Sequence, residues 1–359
     1  MNVMVFNVPA ETVGALTILN EFYDEVLKYK GYDIKWTFVL SKPTLMETEN
    51  VKVIRFPWIK KSWAHRLFFD HIIAPKLIKK HKIDKIISFQ NVVIPHVKKQ
   101  QILYVHNSLP FIDHKFTFKK NTHLWIYQNV ISKNIIKSIK IADKVIVQTK
   151  WMKKACLEKS GVKQEKISVV PPKINFEIKQ FFDPNISSMS TFFYPASGFE
   201  YKNHKVVIEA CKILKNKTDN KYKFIFTLNG KENEEIKKLH EEVINQQLPI
   251  EFIGSISREK VFKLYANSVL LFPSYIETFG LPLLEARLHK GMIIASDCTF
   301  SNEILNGYEN AFFFPHDVPD KLSGILLKVI NGDISYKNPN NIPNDENLES
   351  LLYHIVARR

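Results

Sequence analysis

VLLFPSYIETFGLPLLEARLHKGMIIASD, residues 269–297, reads as a strand, a helix and a second strand. VLLFPS and MIIASD are apolar runs without alternation, the pattern of strands buried on both faces of a parallel sheet. Pro282 suits the first turn of a helix, where its missing N–H costs nothing. The helix is therefore expected to begin near Leu281 and to end near Gly291. Glu277 then falls in the loop before the helix and Glu285 inside its first turns.

The same alternation extends in both directions. STFFYPAS, YKFIFTLNG and PIEFIGSI read as strands upstream of residue 269. The helix pattern NHKVVIEACKILKNK carries an apolar stripe at Val206, Val207, Ala210, Ile213 and Leu214. VMVFNV, IKWTFVL, VKVIRF, DKIISF, QQILYVH, DKVIVQT and KISVVPP form an earlier series. Strands alternating with helices imply parallel β-α-β units. Pro171 and Pro172 stop the first series, and the next residues have little periodicity. The expected architecture is α/β, with two Rossmann-like, doubly wound domains facing a central cleft. Their expected bounds are 1–172 and 189–340, with a linker over 173–188. A terminal helix within 341–359 is expected to cross back to the first domain. Ligands in such sheets bind beyond the carboxyl ends of the strands.

That placement gives the corner between Glu277 and Glu285 a chemical reading. The amides of Phe279, Gly280 and Leu281 are expected to be free at the helix start, which makes an anion site. Gly280 lets a ligand approach the backbone closely. A diphosphate fits there, and the flanking carboxylates can accept hydrogen bonds from hydroxyls on either side. A nucleotide sugar has that order of sugar, diphosphate and ribose. Taken as isolated residues, Glu285 is equally a helix-start acid favoured by the dipole and Glu277 a solvated loop residue.

Composition bounds the alternatives. The 359 residues carry a formal net charge of +15. Such a balance points to nucleic acid, an anionic membrane or an anionic ligand, or to general lysine enrichment in a chain rich in Asn and Ile. The three cysteines are scattered, which argues against a disulfide framework and fits a reducing compartment. The N-terminal residues lack the basic start and unbroken apolar run of a signal peptide. No apolar stretch approaches the ~18–20 residues of a spanning helix. The expected location is cytoplasmic, with attachment to the inner face of the membrane left open by one segment. FPWIKKSWAHRLFFDHIIAPKLIKKHK, residues 56–82, interleaves Lys60, Lys61, Arg66, Lys76, Lys79 and Lys80 with aromatic side chains, against Asp70 alone. It suits an anionic bilayer surface, and equally a solvated helix whose apolar side faces the first core. No nucleic-acid-binding motif accompanies the charge, so nucleic acid is not an expected partner.

ETFGLPLLE resembles the E-x7-E segment of the family 4 retaining glycosyltransferases, which have the GT-B fold. Other segments agree in order: VGALTIL with the N-terminal glycine loop, YVHNSLPF with the histidine loop, and ADKVIVQTKWMKK and KISVVPPKI with the end of the first domain. YPASGFEYKNHKVVIEA resembles the strand, loop and helix that open the second domain. The variants YP…YKNH and HNSLPF occur in subgroups that build bacterial surface polysaccharides such as O-antigen and capsule. The resemblance implies a donor sugar linked to GDP or UDP and a glycan acceptor on a polyprenyl diphosphate. It implies a catalytic set of His106, Lys202 and Glu277. It also implies donor contacts at Gly14, Ala15, Asn203, Thr278, Phe279, Gly280, Leu281 and Glu285, with Glu277 at the sugar and Glu285 at the ribose. Two departures matter. The usual Gly-Gly is Gly14-Ala15, and the arginine that often precedes the lysine is missing from PASGFEYK. Arg258 lies outside any matching motif. No Asp-x-Asp occurs in the chain, so no metal and no other cofactor is expected. A sugar-nucleotide epimerase of similar shape and a basic nucleic-acid-binding protein are the competing readings.

Overall fold

The computed structural model describes residues 1–10, 13–31, 33–119, 121–173, 177–339 and 350–356. Two units result, each built on one parallel sheet. The first sheet contains β1 (Asn2–Asn7), β2 (Lys35–Leu40), β3 (Val51–Arg55), β4 (Lys85–Ser88), β5 (Gln100–Val105), β6 (Lys144–Val147) and β7 (Ile167–Val169). Its spatial order is β3-β2-β1-β4-β5-β6-β7. Strands such as VMVF and ILYV are buried on both faces because helices cover both, which is why they read as continuous apolar runs. The helix Leu351–Val356 belongs to this unit, with Leu352, Ile355 and Val356 in the cluster that includes Phe22, Trp36 and Phe38. Lys85 Nζ donates to the Ile355 carbonyl at 2.7 Å, and Glu25 accepts from Ser350 Oγ and the Leu352 amide.

The second sheet contains β8 (Thr191–Tyr194), β9 (Lys223–Phe226), β10 (Ile250–Phe252), β11 (Val269–Phe272), β12 (Ile293–Ser296) and β13 (Ala311–Phe314), in the order β10-β9-β8-β11-β12-β13. β13 and the helices Thr299–Ile304 and Pro319–Ile330 extend the pattern beyond the sequence reading. In both sheets the winding reverses once, between β1 and β4 and between β8 and β11. A crevice opens at the carboxyl ends at such a reversal.

Two boundaries differ from expectation. Residues 182–188 are not linker. The Phe182 amide donates to the His289 carbonyl at 2.8 Å and the Asp183 amide to Ala266 at 3.1 Å. Asn185 caps the short helix Ile186–Met189. Local periodicity cannot register such docking, because the partners lie far along the chain. The helix after Gly280 runs Leu281–Leu288, and Lys290 rather than Gly291 takes the left-handed conformation, with φ +60°. Gly291 is needed for space: a Cβ there would sit 3.2 Å from the Ala286 carbonyl oxygen.

Residues 57–80 form one broken helical rod. A 3-10 turn Pro57–Lys61 leads into α-helix Trp63–Phe68, a π turn Phe69–Ile73 and α-helix Ala74–Lys80. A second rod repeats the design, with α-helix Thr122–Ile126, π turn Tyr127–Ile131 and α-helix Ser132–Ile141. Among the described residues no helix is long and apolar enough to cross a membrane.

Candidate functional site

The reversal between β8 and β11 positions the main cluster. The chain leaving β8 makes a 3-10 turn Glu200–Lys202, and Asn203 then takes a left-handed conformation before the helix His204–Lys215. Asn and Asp tolerate that conformation better than other side-chain-bearing residues. Asn203 also uses it: Nδ2 donates to the carbonyls of Pro273 at 3.3 Å and His316 at 2.7 Å. The Tyr194 hydroxyl donates to the Lys202 carbonyl at 2.7 Å. Lys202 is thus fixed at the carboxyl end of β8, facing the loop that follows β11.

That loop supplies Glu277. Lys202 Nζ donates to Glu277 Oε1, and Ser274 Oγ donates to the same oxygen at 2.8 Å. The two side chains keep 17% and 16% of their surface exposed, so the pair is partly desolvated yet reachable. Ser274 is fully buried, and the loops are tied together where the Tyr275 amide donates to the Tyr201 carbonyl at 3.1 Å. The Tyr201 hydroxyl is held protonated by burial and by the nearby Glu277 charge. Beneath lies His204, pushed down to about 3 by burial and then by Lys202, so its ring is neutral. Lys202 therefore supplies positive charge here without competition from a histidinium.

Gly280 caps the next helix with φ +87°, a conformation strained for any side chain. The amides of Phe279, Gly280 and Leu281 have no acceptor among the described residues, as a helix start implies. Thr278 lies between this group and Glu277. One turn in, Glu285 accepts from Arg258 Nη2 at 3.1 Å on Oε1 and from the Tyr265 hydroxyl at 2.9 Å on Oε2. Burial raises the Glu285 carboxyl above its usual range, while Arg258 and Tyr265 pull it back. Arg258 thus belongs to Glu285, a position no local motif announces. No motif marks Tyr265, which acts on Glu285 from 20 residues away, or Ser274, a lone serine three residues before Glu277.

The first unit contains the remaining residues. His106 follows β5, beside the reversal between β1 and β4. Asn91, with φ +63°, holds it twice: Oδ1 accepts from the His106 amide at 2.7 Å, and Nδ2 lies 3.4 Å from Nε2. Burial pushes the imidazole down to about 4, and Nδ1 has no partner among the described residues. Gly14 and Ala15 fall at the start of the helix Val13–Lys28, and their surroundings lie outside the described residues.

Two family models match the chain. The one described as Glycosyl transferases group 1 covers residues 177–343, and Glycosyltransferase Family 4 covers residues 27–177. The serotype-specific mannosyltransferase WbdA of Escherichia coli is 28% identical over 139 residues, which is 38% of this chain and 17% of that enzyme. The matched region is thus about a sixth of that relative's length. Among solved structures, a sucrose-phosphate synthase from Thermosynechococcus elongatus aligns with TM-score 0.69 at 14% identity, covering 92% of this chain and 90% of that one. Anabaena Alr3699/HepE, in complex with UDP and glucose, aligns with TM-score 0.67 at 14% identity, covering 93% and 90%. At such identities the likeness establishes a shared fold, two Rossmann-like halves of the GT-B type.

Proposed function

Because the chain belongs to the group 1 and family 4 glycosyltransferases, we propose that it moves a hexose from a nucleoside-diphosphate sugar to a growing, lipid-linked glycan of a bacterial surface polysaccharide, with retention of configuration. One observation carries this reading: Lys202, Glu277 and the amides of residues 279–281, which have no acceptor among the described residues, lie at the reversal of the second sheet. An ammonium has three donors. One serves Glu277 and two remain for a diphosphate. The helix start binds the same anion through its amides and dipole. Glu277 accepts from donor-sugar hydroxyls, and Glu285 accepts from the ribose. His106, neutral at physiological pH, acts as a hydrogen-bonding group toward a sugar hydroxyl rather than as a cation.

The transfer step follows from the charges. The bond from the anomeric carbon to the phosphate oxygen breaks, and the acceptor oxygen bonds to that carbon from the same face. The departing phosphate takes the acceptor proton. Negative charge grows on the diphosphate, where Lys202 and the helix start stabilise it electrostatically. This arrangement needs no metal, so EDTA is expected to leave turnover unchanged. Activity lost in EDTA and restored by Mg²⁺ or Mn²⁺ would show otherwise.

Thermal-shift measurement with UDP, GDP and their sugar conjugates tests the donor class. A nucleotide at 100 times its dissociation constant stabilises the fold by about 2.7 kcal/mol. Support comes from the family names and chemistry of the matches: a serotype-specific mannosyltransferase and a protein crystallised with UDP. No stabilisation by either nucleotide would remove the proposal.

Glu285 gives a prediction with a worked sign. Its folded-state carboxyl is raised, so keeping it ionised costs stability once pH exceeds the unfolded value, near 4.3. Glu285→Gln is therefore expected to melt no lower than the parent at pH 7, with any advantage shrinking as pH falls toward that value. The same substitution weakens the bare nucleotide by about 1.5–3 kcal/mol through loss of a charge-assisted hydrogen bond. Calorimetry and melting curves on one preparation separate the two effects. A large fall in melting temperature at pH 7 would mean that Glu285 is a structural residue.

A further inference from the structure

We propose that the two rods 57–80 and 122–141, with the segment leading into the second, form one surface that docks on an anionic phospholipid bilayer. This surface involves neither donor nor acceptor and stands apart from the transfer reaction. The first rod has two apolar faces. Phe69, Ala74 and Ile78 are buried in a core cluster of the first unit, together with Ile59. Trp63, Leu67 and Phe68 point the other way and stay 52–54% exposed. In the second rod and the segment leading into it, Val130 and Phe118 are 51% and 55% exposed. The two rods touch through Trp63 and Tyr127, whose ring centroids lie 6.0 Å apart edge to face. Phe118 packs edge-on against Trp125 at 5.2 Å. The exposed apolar groups thus come from adjoining elements, and large exposed apolar patches mark interaction sites.

Charge identifies the occupant. Residues 57–82 hold seven Lys or Arg and one acid, Asp70. That acid is buried and already paired with Arg66 at 2.6 Å. Residues 114–142 hold six Lys and no acid at all, although the chain has 36 acidic residues. General lysine enrichment would not remove the acids from these two adjoining stretches. A surface of one sign needs an anionic partner. Nucleic acid would meet the charge but would leave Leu67, Phe68 and Val130 without apolar contact. A bilayer satisfies both, with lysines at the headgroups and apolar side chains at the acyl boundary.

The test is vesicle co-sedimentation of the full chain, with phosphatidylglycerol mixed into phosphatidylcholine against phosphatidylcholine alone, at low and high salt. The parent is expected to bind the anionic vesicles only, and more weakly in high salt. Replacing Lys61, Lys76, Lys133 and Lys137 with Ser lowers partitioning on the order of 1,000-fold. Leu67→Ser with Phe68→Ser lowers it at least about 10-fold, and Phe118→Ser with Val130→Ser does the same. These side chains are exposed, and an unchanged UDP or GDP thermal shift verifies each variant's fold and keeps this test separate from the donor reading. The proposal is overturned if the parent ignores anionic vesicles, or if the apolar variants bind like the parent. Retention on duplex DNA without vesicle binding overturns it in favour of nucleic acid. An effect confined to the Leu67–Phe68 pair overturns the joint surface.

Discussion

Lys202→Ala is expected to lower turnover by a factor on the order of 10³, and to weaken the bare nucleoside diphosphate by about 1.5–3 kcal/mol at the same time. The joint loss follows from where the ammonium sits. It meets the diphosphate in the ground state and again when leaving-group charge develops, so binding and chemistry both suffer. The substitution also strands Glu277, which keeps Ser274 as a partner but loses its counter-ion in a site only 16% exposed. The double variant Lys202→Ala with Glu277→Gln separates these terms, since neighbours in one network do not add. Calorimetry with the nucleoside diphosphate and single-turnover kinetics with the donor provide the readouts. An unaltered nucleotide affinity would place Lys202 away from the diphosphate.

Glu277→Gln retains shape and loses charge. Turnover is expected to fall by a factor on the order of 10²–10³, the range for one well-placed transition-state contact. Affinity for the bare nucleoside diphosphate should not fall, because that ligand has no sugar. It can rise, since Lys202 is released from its carboxylate and all three donors become available. This opposite movement distinguishes Glu277 from Glu285, whose loss weakens the bare nucleotide. If Glu277→Gln weakens the nucleotide and Glu285→Gln does not, the two roles are exchanged.

The parts of this site that could be read in the sequence are those built from neighbours along the chain. A buried parallel strand, a Gly-Leu-Pro corner and an acid one turn later all lie within residues 269–286, so pattern and spacing expose them. The strand series was legible for the same reason: each strand is a continuous apolar run. The partners were not. Arg258 is 27 residues from Glu285, Asn91 is 15 from His106, and Lys202 is 75 from Glu277. Only the winding of the sheets brings such pairs together. The lysine came into view through resemblance, and Arg258 had no motif to mark it. The exposed half of residues 57–80 was ambiguous for a subtler reason, which lies in the geometry of the rod itself.

A straight α-helix advances about 100° per residue, so Trp63, Leu67, Ala74 and Ile78 would lie along a single stripe. In the folded chain Trp63 and Leu67 face outward while Ala74 and Ile78 face the core. The π turn Phe69–Ile73 stands between the two halves. Its wider loop takes up about one extra residue, and that residue resets the helical phase. The surface character of this rod therefore depends on the π turn as well as on which side chains the rod carries. Deleting one residue within Phe69–Ile73 would restore an unbroken helix and leave Trp63 and Leu67 facing outward, because the residue removed is the one the π turn absorbs. Winding all the present residues into a regular α-helix would instead swing them onto the side of Ile78. Related chains that differ by one residue here would then present the same aromatic face, one through a π turn and the other through a plain α-helix.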